Sequence, residues 1–215
     1  MVVFLKTDRS VVYVSKPAPT KGEETRERIL ARAASLFNKK GYAGASLSDL
    51  MEATGLQKGG LYNHFVSKEN LALEAFDYAI GKVTASIKGA MAAESTSLGR
   101  FRAMLRFFAE YAADPPVAGG CPILNTAVES DDTNPALRAR ARQAMDQLRN
   151  GMRSNIARGI AHGEFRKDVD PERITNLFVA AIEGGIMMSK LYGDPNHLRR
   201  VVEDLLERVD KELKL

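Results

Sequence analysis

Apolar residues recur at helical spacing through most of the chain. From Thr25 onward Ile29, Leu30, Ala33, Leu36 and Phe37 share one face, and Gly41 closes the run. "SLSDLMEATG" predicts a second helix, with Ser46 or Ser48 as its cap, Leu47, Leu50 and Met51 inward, and a stop at Gly55. A short third helix is expected over about Gln57 to Phe65. "SKEN" starts a fourth, capped by Ser67 and running to about Met91. Phe101, Met104, Leu105, Phe108 and Tyr111 form the next stripe, which "DPPVAGG" interrupts before a short buried helix at "CPILNTAVE". Asn134-Pro135 opens a long helix with Leu137, Ala141, Met145, Leu148, Met152 and Ile156 inward, ending near "HGEF". Asp170-Pro171 is a cap followed by proline at the first helical position, and Ile174, Leu177, Phe178, Ala181 and Ile182 continue from it. After Pro195 the last stripe reads Leu198, Val201, Val202, Leu205, Leu206 and Val209. The pattern predicts an all-α protein of about nine helices.

The first 20 residues do not share this period. "VVFL" and "VVYV" flank "KTDRS" and could pair, but an isolated two-stranded hairpin is only marginally stable. Residues 1–20 therefore read as a flexible arm, set off by Pro17 and Pro19. The remainder divides into a small three-helix module over 21–68 and a larger helical domain over 69–215.

Charge sharpens that division. The formal net charge is only +4. Residues 1–68 carry 11 Lys+Arg against 6 Asp+Glu, whereas 69–215 carry 20 against 21, so the basic excess belongs to the N-terminal third. A localised positive field is the footprint of contact with phosphate or an anionic surface. A single cysteine, Cys121, excludes an intrachain disulfide framework and fits a reducing compartment. No unbroken apolar run approaches the ~18 residues a membrane span requires, and Lys6, Asp8 and Arg9 interrupt the start of the chain. A cytoplasmic protein with no membrane partner is expected. His64, His162, His197 and Cys121 show no metal-ligand spacing, so neither metal nor cofactor is called for.

Gly59 and Gly60 are the anomaly, because each costs roughly 1 kcal/mol relative to alanine inside a helix. With Leu61 at zero on a helical wheel, Phe65 lies about 40° away and this pair faces the core. Gly59 and Asn63 fall on the opposite side, flanked by Gly60 and Tyr62. A short helix preceded by another across a tight turn, with its outer face reduced to backbone and edged by Gln57, Lys58, Tyr62 and His64, can press close to a second molecule. Double-stranded DNA fits, since the major groove admits one α-helix and base edges are read at near van der Waals distance.

Residues 25–71, "TRERILARAASLFNKKGYAGASLSDLMEATGLQKGGLYNHFVSKENL", resemble the N-terminal DNA-binding domain of the TetR family of bacterial transcriptional regulators. The matching features are the aromatic after "KKG", the "S-x-x-D/E" opening of the second helix, "G-x-x-x-G-x-L-Y-x-H-F" and the "S-K-E" that follows. "GEFRKDVDPERI" at 163–174 extends the likeness more loosely. The resemblance implies a helix-turn-helix domain with Gln57, Lys58 and Gly59 at the groove-facing tip. Tyr62, His64 and Lys68 match positions that usually touch phosphate, as do Ser46 and Ser48; Arg26 and Lys21 are further candidates. Gly60 and Asn63 complete the DNA-facing set. Family members often carry Ser or Thr where this chain has Gln57.

A larger second domain implies a second input. In the family it dimerises and binds a small molecule, and here the stripes on 174–191 and 198–213 are wide enough for a four-helix interface, giving a homodimer through residues about 171–213. A pocket for a small-molecule effector would be lined from Leu105, Phe108, Cys121, Leu124, Asn125, Met145, Leu148, Met152, Phe178 and Ile182, although methionines suit an ordinary core as well. Cys121 stands either as a core or pocket thiol or as a sensor. The expected function is a dimeric repressor on a pseudo-palindromic operator, released when effector binding shifts the fourth helix. A ligand-free architectural DNA binder is the alternative. A helical enzyme is the remote one, since "GEF" and "AHGE" lack catalytic partners at useful spacing; turnover lost on substituting Glu129 or His162 would revive it.

Overall fold

A computed structural model of the protein describes residues 18–215. The described residues form nine α-helices and no named strand: α1 (Lys21–Lys40), α2 (Leu47–Thr54), α3 (Lys58–Tyr62), α4 (Lys68–Met91), α5 (Ser97–Tyr111), α6 (Pro122–Ser130), α7 (Pro135–Ala161), α8 (Pro171–Tyr192) and α9 (Asn196–Arg208). The expected arm lies outside the described residues except for its last three. A π-helical turn, Val209–Leu213, continues α9, and Lys214 bridges back to Phe165.

Local chemistry sets the boundaries. α1 starts a turn before Thr25, because Thr20 and Glu23 form a reciprocal cap: the Glu23 N–H donates to Thr20 Oγ1 at 3.3 Å and the Thr20 N–H to the Glu23 carboxylate at 2.7 Å. Ser46 and Asp49 repeat this device at α2, so Ser46 and not Ser48 is the cap. α3 is only five residues long, shorter than the expected Gln57 to Phe65. Beyond Tyr62 the backbone stays bonded, with the Asn63 and Phe65 N–H groups donating to the Gly59 and Leu61 carbonyls, and then turns into the Ser67 cap of α4.

Two cores form, and α4 serves both. Ile29, Ala33, Leu50, Leu61, Phe65 and Leu71 close a small head built on α1–α3 and the start of α4. Val117, from the α5–α6 loop, is buried among them. The body core is larger and aromatic: Phe101 stacks near Phe178 at 5.4 Å and edge-on to Phe165 at 6.2 Å, with Leu105, Ile156 and Leu198 fully buried beside them.

The two C-terminal stripes have different fates. Leu198, Val202, Leu205, Val209 and Leu213 are buried within the chain, and Val201 and Leu206 pack partly buried against the same core. α8 is apolar on two sides. Phe178, Ile182 and Ile186 face the body core, while Leu177, Met187, Met188, Leu191 and Tyr192 stand exposed. α8 is also the one described helix long and apolar enough to cross a membrane by length and composition. That composition follows from having two apolar faces.

α7 returns to the core through Gly159. A Cβ there would lie 2.2 Å from Phe165 Cδ2 and 2.5 Å from Cε2, inside a ring that is itself fully buried. Gly159→Ala is expected to destabilise the body by about 1–3 kcal/mol through overpacking, read as a lowered urea midpoint with an unchanged slope; an unaltered midpoint would mean that Phe165 has room to move.

Candidate nucleic-acid interface and ligand cavity

The exposed side of α2 and α3 carries the first candidate site. α2 stops at Gly55, whose left-handed backbone turns the chain toward α3. Gln57 takes the N-cap position of α3 without a side-chain cap bond, which leaves its amide exposed and uncommitted. Leu61 and Phe65 are buried at 2% and 3% exposure, and this burial orients the helix. Lys58, Gly59, Tyr62 and Asn63 face outward in consequence, with Gly60 and His64 half-buried at the edges.

Nothing in the fold requires either glycine. Neither has a positive φ, a Cβ on Gly59 would meet no atom within 4 Å, and one on Gly60 would make an ordinary contact with Leu56 at 3.5 Å. The helix therefore gives up its propensity for no gain inside this chain.

The flanking residues divide. Lys58 and Ser48 are exposed. Ser46 is engaged in its cap, where its hydroxyl and N–H, together with Lys40, hold the Asp49 carboxyl well below the usual range, the Lys40 hydrogen bond contributing most. Lys68 donates from Nζ to the Tyr42 carbonyl at 2.7 Å and lies 4.4 Å over the Tyr42 ring, so it braces the turn before α2. Arg26 pairs with Glu74 and stacks 4.7 Å over Phe65. Both cations are thus bonded within the head.

The body encloses the second site, a cavity of about 460 Å³ between α4, α5, α6, α7 and α8. Four residues expected in a pocket line it: Phe108, Cys121, Leu148 and Met152. Leu105, Leu124, Asn125, Met145, Phe178 and Ile182 are not in its wall. Leu105, Phe178 and Ile182 are buried in the helix packing, and Leu124 and Met145 pack against that core. Asn125 instead donates to the Asn38 side chain and to the Asn38 and Gly119 carbonyls. Helical spacing locates an inward face but not the gap between faces. The polar wall was missed altogether: Tyr111, Glu183, Arg100 and Arg158 all line the cavity. Glu183, the acid in the otherwise apolar "VAAIEGGIMM", was the readable signal.

Comparison with known proteins decides the family. The model of bacterial regulatory proteins of the tetR family matches residues 29–75, and that of the tetracyclin repressor-like C-terminal domain matches 97–205. The chain belongs to the TetR family. A TetR regulator from Chloroflexus aurantiacus is 47% identical, with a TM-score of 0.87 over 91% of this chain and 98% of that one. One from Cytophaga hutchinsonii is 34% identical, with a TM-score of 0.82 over 93% and 99%. The transcriptional repressor AcnR of Corynebacterium glutamicum is 27% identical over 90% of this chain and 96% of its own. The structure of a CifR cysteine mutant in complex with 26-bp operator DNA aligns at 25% identity, with a TM-score of 0.74 over 90% and 98%.

Within this TetR-family body Cys121 is buried, and its thiol donates to Glu183 Oε1 at 3.1 Å. Burial, then the neighbouring Glu183, pushes the thiol well above its ordinary pKa. Cys121 in the native protein should accordingly react with iodoacetamide at least ~10-fold more slowly than in the urea-unfolded chain. Equal rates, read by mass spectrometry, would return it to the sensor class.

Proposed function

We propose that the chain is a homodimeric, effector-released transcriptional repressor that reads DNA through α3. The bare backbone at Gly59 carries this reading. It is outward, unobstructed and unexplained by the fold, and it fits a helix pressed against base edges. The division into a DNA-reading head over 21–68 and an effector and dimer domain over 69–215 follows from it, as does a place in the cytoplasm with the DNA. Gln57, Lys58 and Asn63 offer polar groups to bases, and Tyr62 and Ser48 reach phosphate. Lys68, Arg26 and Ser46 act by holding the head in shape.

A dimer places two such helices in successive major grooves, roughly 34 Å apart. The exposed stripe of α8 supplies its apolar contact, with the polar outer face of α9 at its side. Of the two residues named for an enzymatic reading, Glu129 is engaged in the fold: its oxygens accept backbone N–H groups, from Tyr42 at 2.9 Å and Ala43 at 2.8 Å. The relatives are named as transcriptional regulators.

Those same bonds suggest how effector binding reaches the head. Cys121, Pro122 and Ile123 form part of the cavity wall and begin α6. From α6, Asn125 bonds Asn38 of α1, and Glu129 bonds the turn before α2. Gly41 permits the latter: its φ is +76°, and a Cβ there would fall 2.7 Å from Glu129 Oε1. A ligand that displaces α6 thus moves α1 and the turn together, while α4, which also lines the cavity, carries the head with it.

Lys58→Ala should weaken binding to DNA selected from a random pool by about tenfold, and Gly59→Leu by ~100-fold or more, with unchanged helicity. Normal affinity in Gly59→Leu would refute the close approach. Glu129→Ala should keep DNA binding yet shrink the effector-induced loss of affinity by about fivefold or more, measured by fluorescence anisotropy with and without effector; a full response would place the coupling in α4 alone.

A further inference from the structure

We infer that the cavity takes an elongated apolar amine, with its protonated nitrogen seated between Glu183 Oε2 and Tyr111 Oη. This names the effector class of the cavity and so rests on the effector reading above.

Two polar side-chain atoms of the cavity wall are buried without a hydrogen-bond partner, Tyr111 Oη and Glu183 Oε2. Buried polar atoms are nearly always satisfied, so two orphaned atoms lining one cavity, from α5 and α8, mark where a ligand group belongs. The other Glu183 oxygen is already taken by the Cys121 thiol at 3.1 Å. Among the described residues no Lys or Arg pairs with Glu183. A carboxylate placed in an apolar wall without a counter-charge is disfavoured, and burial raises the pKa of Glu183 accordingly.

The chemistry selects among head groups. A ligand carboxylate here would set two acids side by side. An alcohol would bond Glu183 but leave its charge uncompensated. An ammonium does both, and it donates to Tyr111 Oη as well. The Phe108 and Tyr111 rings, 5.7 Å apart, add aromatic faces for the cation.

Length follows from the opposite end. Arg100 and Arg158 also line the cavity, their guanidinium groups held by the Glu94 carbonyl, Ser97 Oγ and Asn155 Oδ1. Arg100 precedes Tyr111 by eleven residues on α5, which puts them about 16 Å apart along the helix axis. Lys88, near the end of α4, lies toward the same α4–α5 connection. A cation therefore avoids the basic end and sits by Glu183. Its apolar body runs along Phe101, Met104 and Met152.

Phenylbutylamine, phenylbutanol and phenylbutanoate share one skeleton and differ only in the head. Isothermal titration into the dimer should give the amine the lowest Kd, by about tenfold over the other two, as expected of one charge-assisted bond. Glu183→Gln should erase that preference and leave the alcohol within about twofold. Tyr111→Phe, which keeps the ring, should lower amine affinity in a protein whose circular dichroism is unchanged. Equal or tighter binding of the acid or alcohol, no amine binding, or an amine preference that survives Glu183→Gln overturns the proposal. Displacement of the neutral dye N-phenylnaphthylamine separates the two levels: if the dye enters and the amine does not, the amine fails alone, whereas if no compound enters or releases DNA, the effector reading fails too.

Discussion

Burial of Leu61 and Phe65 is the constraint on which the outward surface of α3 depends. A helix of five residues cannot hold itself in water, where even good sequences need about 12–15 residues to be marginally stable. Each of these side chains contributes about 1.5–3 kcal/mol when withdrawn from water, and together they outweigh the roughly 2 kcal/mol that two glycines give up. Their period also fixes which side of α3 remains outside. The head core thus acts as a clamp: it holds a weak helix by one edge and leaves the other as backbone. Arg26 over Phe65 and Lys68 over Tyr42 stiffen the clamp from within.

The clamp is not isolated from the body. Val117 enters the head core from the α5–α6 loop, and Asn38, on α1, donates to the Ala118 and Gly120 carbonyls of that loop at 3.2 and 2.9 Å. Lys190 of α8 donates to the intervening Gly119 carbonyl at 2.7 Å. One loop is therefore bonded to the head on one side and to the exposed-stripe helix on the other, immediately before Cys121 and the cavity. Interior packing does not deform gradually, so a ligand that changes the position of α6 has to re-form this set of bonds rather than stretch it. Head, cavity and the exposed stripe of α8 share one small polar junction.

Much of this was legible along the chain because it is local. Caps, stops and inward faces depend on residues three or four apart, and the α2, α4, α7 and α8 starts follow from Ser46, Ser67, Asn134 and Asp170. Even the early start of α1 was written in Thr20 and Glu23, a cap signature that the apolar period, beginning later, obscured. The cavity was not legible in the same way. Leu105 and Phe108 are both inward on α5, but only Phe108 meets the void, because the void is set by how five helices diverge. Lys68 and Arg26 show the same limit from the other side: their partners, the Tyr42 carbonyl and Glu74, come from elsewhere in the chain and cannot be read from local spacing.

Glu183 shows how stability and function oppose one another here. An acid within an apolar helix wall, with one oxygen unbonded, lowers the stability of the empty body, since an unsatisfied buried polar atom costs about 1–3 kcal/mol. Leucine at that position would serve the fold better. On the proposed reading, a ligand able to bond that atom would gain what the fold forgoes. Because Cys121 bonds the other Glu183 oxygen and begins α6, that gain is delivered at the helix which holds the head. On the proposed reading, satisfying that oxygen would act at the helix whose Asn125 and Glu129 bond the head.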